Sequence, residues 1–229
     1  MKKKKRVACM IVVMLLGMTS GVIGTRAYLQ AQTETKTNAF TSNQNISIQL
    51  REPAWDGFTF DDAASDGTKV NDSLDVDEQK KLGLVQAAAY VPGQVIPKNP
   101  KIKNDGTKES GVSARVALKV QYYDENHHEI TYEKFKAAYL NENGITFDEK
   151  WKRINNSPYE VYLYEDVLGT GESTDALFSE IPLSGRITVG ENGKLPGFQI
   201  RVTAYAVQAE YTDGTELEEI MNQFVSKNE

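Results

Sequence analysis

The chain has 229 residues, 40% of them hydrophobic and 25% charged, which is enough for one sizeable domain with its own core. Six of the 26 Lys and Arg fall in residues 1–27, where there is no acid, so residues 28–229 carry 20 bases against 32 acids, a formal net charge of −12. Such a surface repels phosphate and argues against nucleic-acid and anionic-membrane partners; the only cysteine, Cys9, lies in the leader, so disulfide and thiol chemistry is excluded from residues 28–229.

Lys2 to Lys5 and Arg6 open the chain with five positive charges, and Val7 to Ile23 follows without one. Thr25 and Ala27 then place small side chains before Tyr28. A basic region, an apolar region and a small-residue site are the three parts of a secretory leader. The expectation is cleavage between Ala27 and Tyr28. The competing reading is a retained anchor, but Gly17, Thr19, Ser20 and Gly21 interrupt the second half of an apolar run already short for a membrane span. The organisation expected is a cleaved signal peptide over 1–27, a flexible N-terminal segment over 28–44 and a β domain over 45–229. An Asp-rich excursion interrupts that domain at about 61–90. Membrane contact is expected only through an uncleaved leader, and the product is expected to be secreted.

Alternation of apolar and polar residues marks strands. Ile46, Ile48 and Leu50 give the first. Residues 55–60 are a weaker candidate. Residues 61–83 crowd Asp61, Asp62, Asp66, Asp72, Asp75, Asp77 and Glu78 into a stretch with few apolar residues, read as a solvated excursion. Residues 94–104 form another weaker candidate. The clearest strand runs from Ala114 to Tyr122, with Ala114, Val116, Leu118, Val120 and Tyr122 on one face and Arg115, Lys119 and Gln121 on the other, a core face and a solvent face. Tyr132, Phe135, Lys136, Tyr139 and Leu140 stand at helical spacing, stopped by Gly144. Residues 145–154 are a weak strand; Tyr159, Val161 and Leu163 a stronger one; Leu183, Ile187 and Val189 a short one. Phe198, Ile200, Val202, Ala204 and Ala206 alternate with Gln199, Arg201 and Thr203. A second helical stripe, Leu217, Ile220, Met221, Phe224 and Val225, follows the capping-box spacing of Thr215 and Glu218. Both helices are expected to cover an end or an edge of the sheets. Pro92-Gly93, Asn104-Asp105-Gly106, Asn143-Gly144, Asn192-Gly193 and Asp213-Gly214 supply turns. About eight strands in this length suggest a mainly β protein, an antiparallel jelly-roll-like β-sandwich with one or two short helices.

The junction block Gly24-Thr25-Arg26-Ala27-Tyr28-Leu29, with Thr33 to Thr41 and Asn45 to Asp56 after it, resembles the start of proteins with a SipW-dependent signal peptide, the TasA/camelysin-like matrix proteins of Gram-positive bacteria. Pro92 to Asn104, Val161 to Tyr164, Leu168 to Thr174, Leu177-Phe178 and Ala204 to Ala209 resemble later pieces of that family, so the likeness is scattered over most of residues 1–211. The resemblance implies a dedicated signal peptidase, a jelly-roll domain and a place on the cell surface or in biofilm matrix. It also implies, for some members, fibres in which the mature N-terminal segment adds a strand to a neighbour. The physics of that step is general. A free stretch rich in Thr, Asn and Gln has no core of its own, its backbone can pair with an open sheet edge, and Phe40, Ile46, Ile48 and Leu50 can fill pockets there. Alternatively, Ile46 to Leu50 pairs within its own domain; a self-paired monomer and a swapped polymer are compatible.

No reaction centre is legible. His127 and His128 are adjacent between a strand and a helix, a poor arrangement for one zinc ion. No nucleophile motif and no phosphate loop is present. Cofactors are not expected; calcium is the one ion considered, with Asp61, Asp62 and Asp66 as oxygen donors, at a spacing that does not match an EF-hand. The functional expectation is a secreted structural protein of the surface or matrix, not an enzyme, with itself as a possible partner. The alternative is a monomeric adhesin holding a glycan or host protein with the excursion and with Tyr159, Tyr162 and Tyr164.

Overall fold

The computed structural model describes residues 30–32, 46–107, 111–190, 193–210 and 214–227. Within them the chain is mainly strands in antiparallel sheets. The strands are β1 (Gln30–Gln32), β2 (Ile48–Arg51), β3 (Val95–Pro97), β4 (Lys101–Asn104), β5 (Ala114–Tyr123), β6 (Glu129–Ile130), β7 (Trp151–Asn156), β8 (Glu160–Tyr164), β9 (Glu180–Pro182) and β10 (Gln199–Gln208). The helices are α1 (Pro53–Asp56), α2 (Val76–Gln79), α3 (Gly83–Ala87), α4 (Tyr132–Tyr139) and α5 (Gly214–Lys227).

The main sheet has the order β1-β10-β5-β8-β7, with β6 also paired to β5. β10 and β5 pair along their whole length, from Gln199↔Tyr123 to Gln208↔Ala114. Two small ladders, β2-β4 and β3-β9, complete the strand pairing. The first face of the main sheet carries Ala114, Val116, Leu118, Val120 and Tyr122 of β5 and Ala204 and Ala206 of β10. They share one core with Ile96 of β3, Ile102 of β4, Ile181 of β9 and Phe135 of α4. Period two in the sequence did become one buried face, because alternate side chains of a strand leave it on opposite sides.

The opposite face corrects the sequence reading. It is not solvated. Ala117, Val161, Leu163, Tyr205 and Val207 form a second core with Leu217, Met221, Phe224 and Val225 of α5. The helix therefore covers a sheet face and not an edge. Lys119, expected in solvent, is 4% exposed, with its ammonium 3.9 Å from the ring centre of Tyr159. Five helices stand where one or two were expected. Residues 55–60 are no strand: Pro53 occupies the first turn of α1, and Gly57 closes that helix in the left-handed region at φ 85°. Leu183 makes a single bridge to Leu140; the strand lies one step earlier, in β9, where β3 offers a partner. Tyr159, Tyr162 and Tyr164 are all buried and offer no binding face.

The excursion is a tied loop. Asp75 caps α2 by accepting from Asp77 and Glu78 backbone N–H groups, and Glu78 answers with its own side chain. Gly83 shows how tightly the far end seats: a Cβ there would lie 1.9 Å from the Pro97 carbonyl oxygen and 2.7 Å from the Trp55 ring. In an ordinary helix Gly→Ala stabilises. Here Gly83→Ala is expected to cost about 1–3 kcal/mol through overpacking, read as a lower urea midpoint. A gain in stability would show that α3 does not press on β3.

Candidate functional site

The described residues hold one continuous opening beside the main sheet, a cleft in two lobes of about 590 and 600 Å³ that share Glu52, Asp66, Gly67 and Val202. The first half of β10 forms one wall. The other is built by β2, α1 and the excursion. Local chemistry holds that outer wall in place. Ser65 Oγ donates to the buried Asp56 carboxylate at 2.6 Å, Trp55 Nε1 donates to the Gly67 carbonyl at 2.9 Å, and Arg51 Nε donates to the Thr59 carbonyl at 3.0 Å.

Trp55, Tyr90 and Phe198 line the second lobe, and the buried Ile96 and Ile181 connect it to the core. Tyr90 is pinned by donating its hydroxyl to the Pro196 carbonyl at 2.6 Å. Lys98 and Glu52 form an ion pair of 2.5 Å, with side chains only 7% and 13% exposed, and the ammonium also sits 4.6 Å from the Trp55 ring centre. The cleft thus combines an apolar, aromatic interior with a small number of fixed charges.

The backbone along this cleft is the second component. β1 covers the outer edge of β10 only at Tyr205, Ala206 and Val207. Among the described residues no strand pairs the outer edge from Gln199 to Thr203. The opposite margin of the sheet, β7, is protected differently. It carries a bulge between Arg153 and Asn155 and the exposed Lys152 and Arg153, features that discourage edge pairing. The accessible half-edge is therefore the one that borders the cleft.

The sequence candidates fall as follows. Thr25, Ala27, Tyr28 and Phe40 lie outside the described residues. Ile46 is buried in the core, and Ile48 and Leu50 pack against it from β2, which pairs with β4 of the same chain. Gln30 to Gln32, inside the segment expected to be flexible, form β1. Asp62 accepts from the backbone and hydroxyl of Thr59, both at 2.7 Å, and Asp66 accepts from the hydroxyl and backbone of Thr68 at 2.6 and 2.9 Å. These bonds hold both carboxyls below the usual aspartate range. Asp61 lies in the same turn. Among the described residues no three His, Cys, Asp or Glu are grouped to hold a metal ion. His128 is exposed in the β5–β6 turn, where Asp124 accepts from its backbone at 2.9 Å.

Sequence reasoning missed the cleft itself. Trp55, Tyr90 and Phe198 are far apart in the chain and carry no shared spacing. Only Pro53 ahead of Trp55 and the turn at Gly57 signalled a structured element there. No helix among the described residues is long and apolar enough to cross a membrane. No family model, no curated protein and no solved structure matches the chain.

Proposed function

We propose that this chain is a secreted structural subunit of the cell surface or extracellular matrix, a non-enzymatic protein that assembles when an extended segment of a neighbouring copy adds to the outer edge of β10. The observation that carries this reading is the unpaired half-edge from Gln199 to Thr203 alongside a cleft with an apolar interior. A sheet edge supplies backbone donors and acceptors in a row, and a cleft beside it supplies pockets for alternate side chains, which are the two requirements of strand addition. In this reading the ladders β2-β4 and β3-β9 are the second layer of a jelly-roll-like sandwich. The leader and junction block, with their likeness to TasA/camelysin-like proteins, support export through a dedicated signal peptidase.

The test is deletion of residues 28–44 from the chain that begins at Tyr28. The intact chain should form polymers by light scattering and sedimentation, and the deleted chain should remain a folded monomer by circular dichroism. The deleted chain keeps the receiving edge, so adding it to intact chains should shorten the polymers. Polymers of the deleted chain alone would refute strand addition from this segment.

A second reading has one observation in its favour: three aromatic rings line a lobe of about 600 Å³. In that reading the protein is a monomeric adhesin that holds a glycan or host protein in the cleft. A monomer at high concentration that captures such a ligand, and loses it on Trp55→Ala, would favour it over assembly.

A further inference from the structure

The cleft contains two acceptors with nothing to accept. Gln49 Oε1 and Glu52 Oε1 are both buried and neither has a hydrogen-bond partner. Both residues line the first lobe, where it meets Val202 of β10. The other oxygen of Glu52 is engaged by Lys98. A buried acceptor left unmet is costly, and the surrounding walls are partly apolar. The occupant that relieves both conditions carries short side chains with a donor and a methyl group together.

We propose that the occupant is the segment Thr33-Glu34-Thr35-Lys36-Thr37 of a second copy, whose threonine hydroxyls donate to Gln49 and Glu52. This rests on the strand-addition reading and specifies its chemistry. The register of β1 supports it. Gln30 stands opposite Val207 and Gln32 opposite Tyr205, and an antiparallel ladder advances one residue on each strand per step. A neighbour's strand continuing in that register sets Thr33 opposite Ala204, Thr35 opposite Val202 and Thr37 opposite Ile200. Directly opposed residues share a face of the sheet. Ile200, Val202 and Ala204 belong to the first core face and the cleft, so all three threonines face inward. Glu34 and Lys36 fall opposite Thr203 and Arg201 on the other face, with Glu34 diagonal to the exposed Arg201. The alternation in the segment thus matches the alternation of the edge, and β-branched threonine suits an extended backbone.

The discriminating experiment replaces Thr35 and Thr37 together by Val in the chain from Tyr28 to Glu229, which includes every described residue. Valine has the shape of threonine, is more apolar and forms strands well. If backbone pairing and apolar filling were sufficient, the variant would assemble at a lower concentration. With hydroxyl donors required, the critical concentration should rise about tenfold, and Thr→Ser at both positions should keep most of the parent behaviour. In a Gln49→Met background, which removes one waiting acceptor, the Thr→Val effect should shrink. Equal or tighter assembly of the valine variant, with deletion of 28–44 still abolishing polymers, overturns the hydroxyl contact and leaves strand addition standing. A parent chain that never assembles overturns both.

Discussion

Glu160→Ala is expected to lower stability by about 3–5 kcal/mol, the cost of removing one member of a buried charged network. Glu160 is 1% exposed and sits on the first face of β8. Its Oε2 accepts from the hydroxyls of Tyr122 at 2.8 Å and Tyr162 at 3.0 Å, and its Oε1 accepts from Arg153 Nη1 at 2.9 Å. Burial, reinforced by the Glu160 charge, raises both tyrosine pKa values, so the two phenols stay protonated and stay donors. Alanine leaves those hydroxyls in a core where Tyr122 also meets the rings of Phe135 and Tyr132 at 4.8 and 5.4 Å. Arg153, about half exposed, can turn to water; Tyr122, fully buried, cannot. Most of the cost therefore falls on the tyrosines. Glu160→Gln keeps an acceptor oxygen and should cost clearly less. Urea denaturation of the two variants beside the parent measures the difference. A Glu160→Ala change under about 0.5 kcal/mol, the scale of an ordinary surface substitution, would show that the network does not hold β5, β7 and β8 together.

Strand positions were legible where the pattern was local. Ala114 to Tyr122 alternated cleanly and became half of β5's environment as read. What covers the other half was not legible, because Arg115, Lys119 and Gln121 looked like a wet face and nothing nearby in sequence announced a cover. The stripe of α5 did announce an apolar surface, yet its partner, the outer face of β5, β8 and β10, lies a hundred or more residues away for β5. Lys119 is tolerated there because its ammonium rests on the face of Tyr159. The short strand β9 ends in a proline and pairs only three residues, too little for periodicity to find. The Asp-rich stretch was read as charge exposed to solvent. Its acids are also caps, and the Asp75 to Glu78 spacing of a capping box was present in the sequence all along. The cleft needed three distant segments to converge, so no window of sequence contained it.

The C-terminal helix carries the last large effect. Met221 is fully buried at the centre of the second core, between Leu217 and Phe224 on its own helix and the sheet residues Ala117, Val161, Leu163, Tyr205 and Val207. The Tyr205 and Phe224 rings meet edge to face at 5.5 Å. Outside this apolar contact, α5 is tied to β7 by an ion pair of 2.7 Å between Lys152 and Glu218 and by Asn222 Nδ2 donating to the Ile154 carbonyl at 3.4 Å. Exposed ion pairs are worth under about 1 kcal/mol, so the helix is held chiefly by its apolar stripe. Met221→Ala should cost about 2–5 kcal/mol. Met221→Asp should do more, because an unpaired charge in that core is among the few substitutions that exceed about 4 kcal/mol. The specific signature is local: α5 amides should lose protection from hydrogen exchange first, followed by the edge strand β7 that the helix braces. The buried first face, with Tyr122 and Phe135, should be the last to open, since its core does not include α5. If Met221→Asp leaves exchange in α5 unchanged, the helix does not seal this face, and the two-sided burial of the main sheet is wrong.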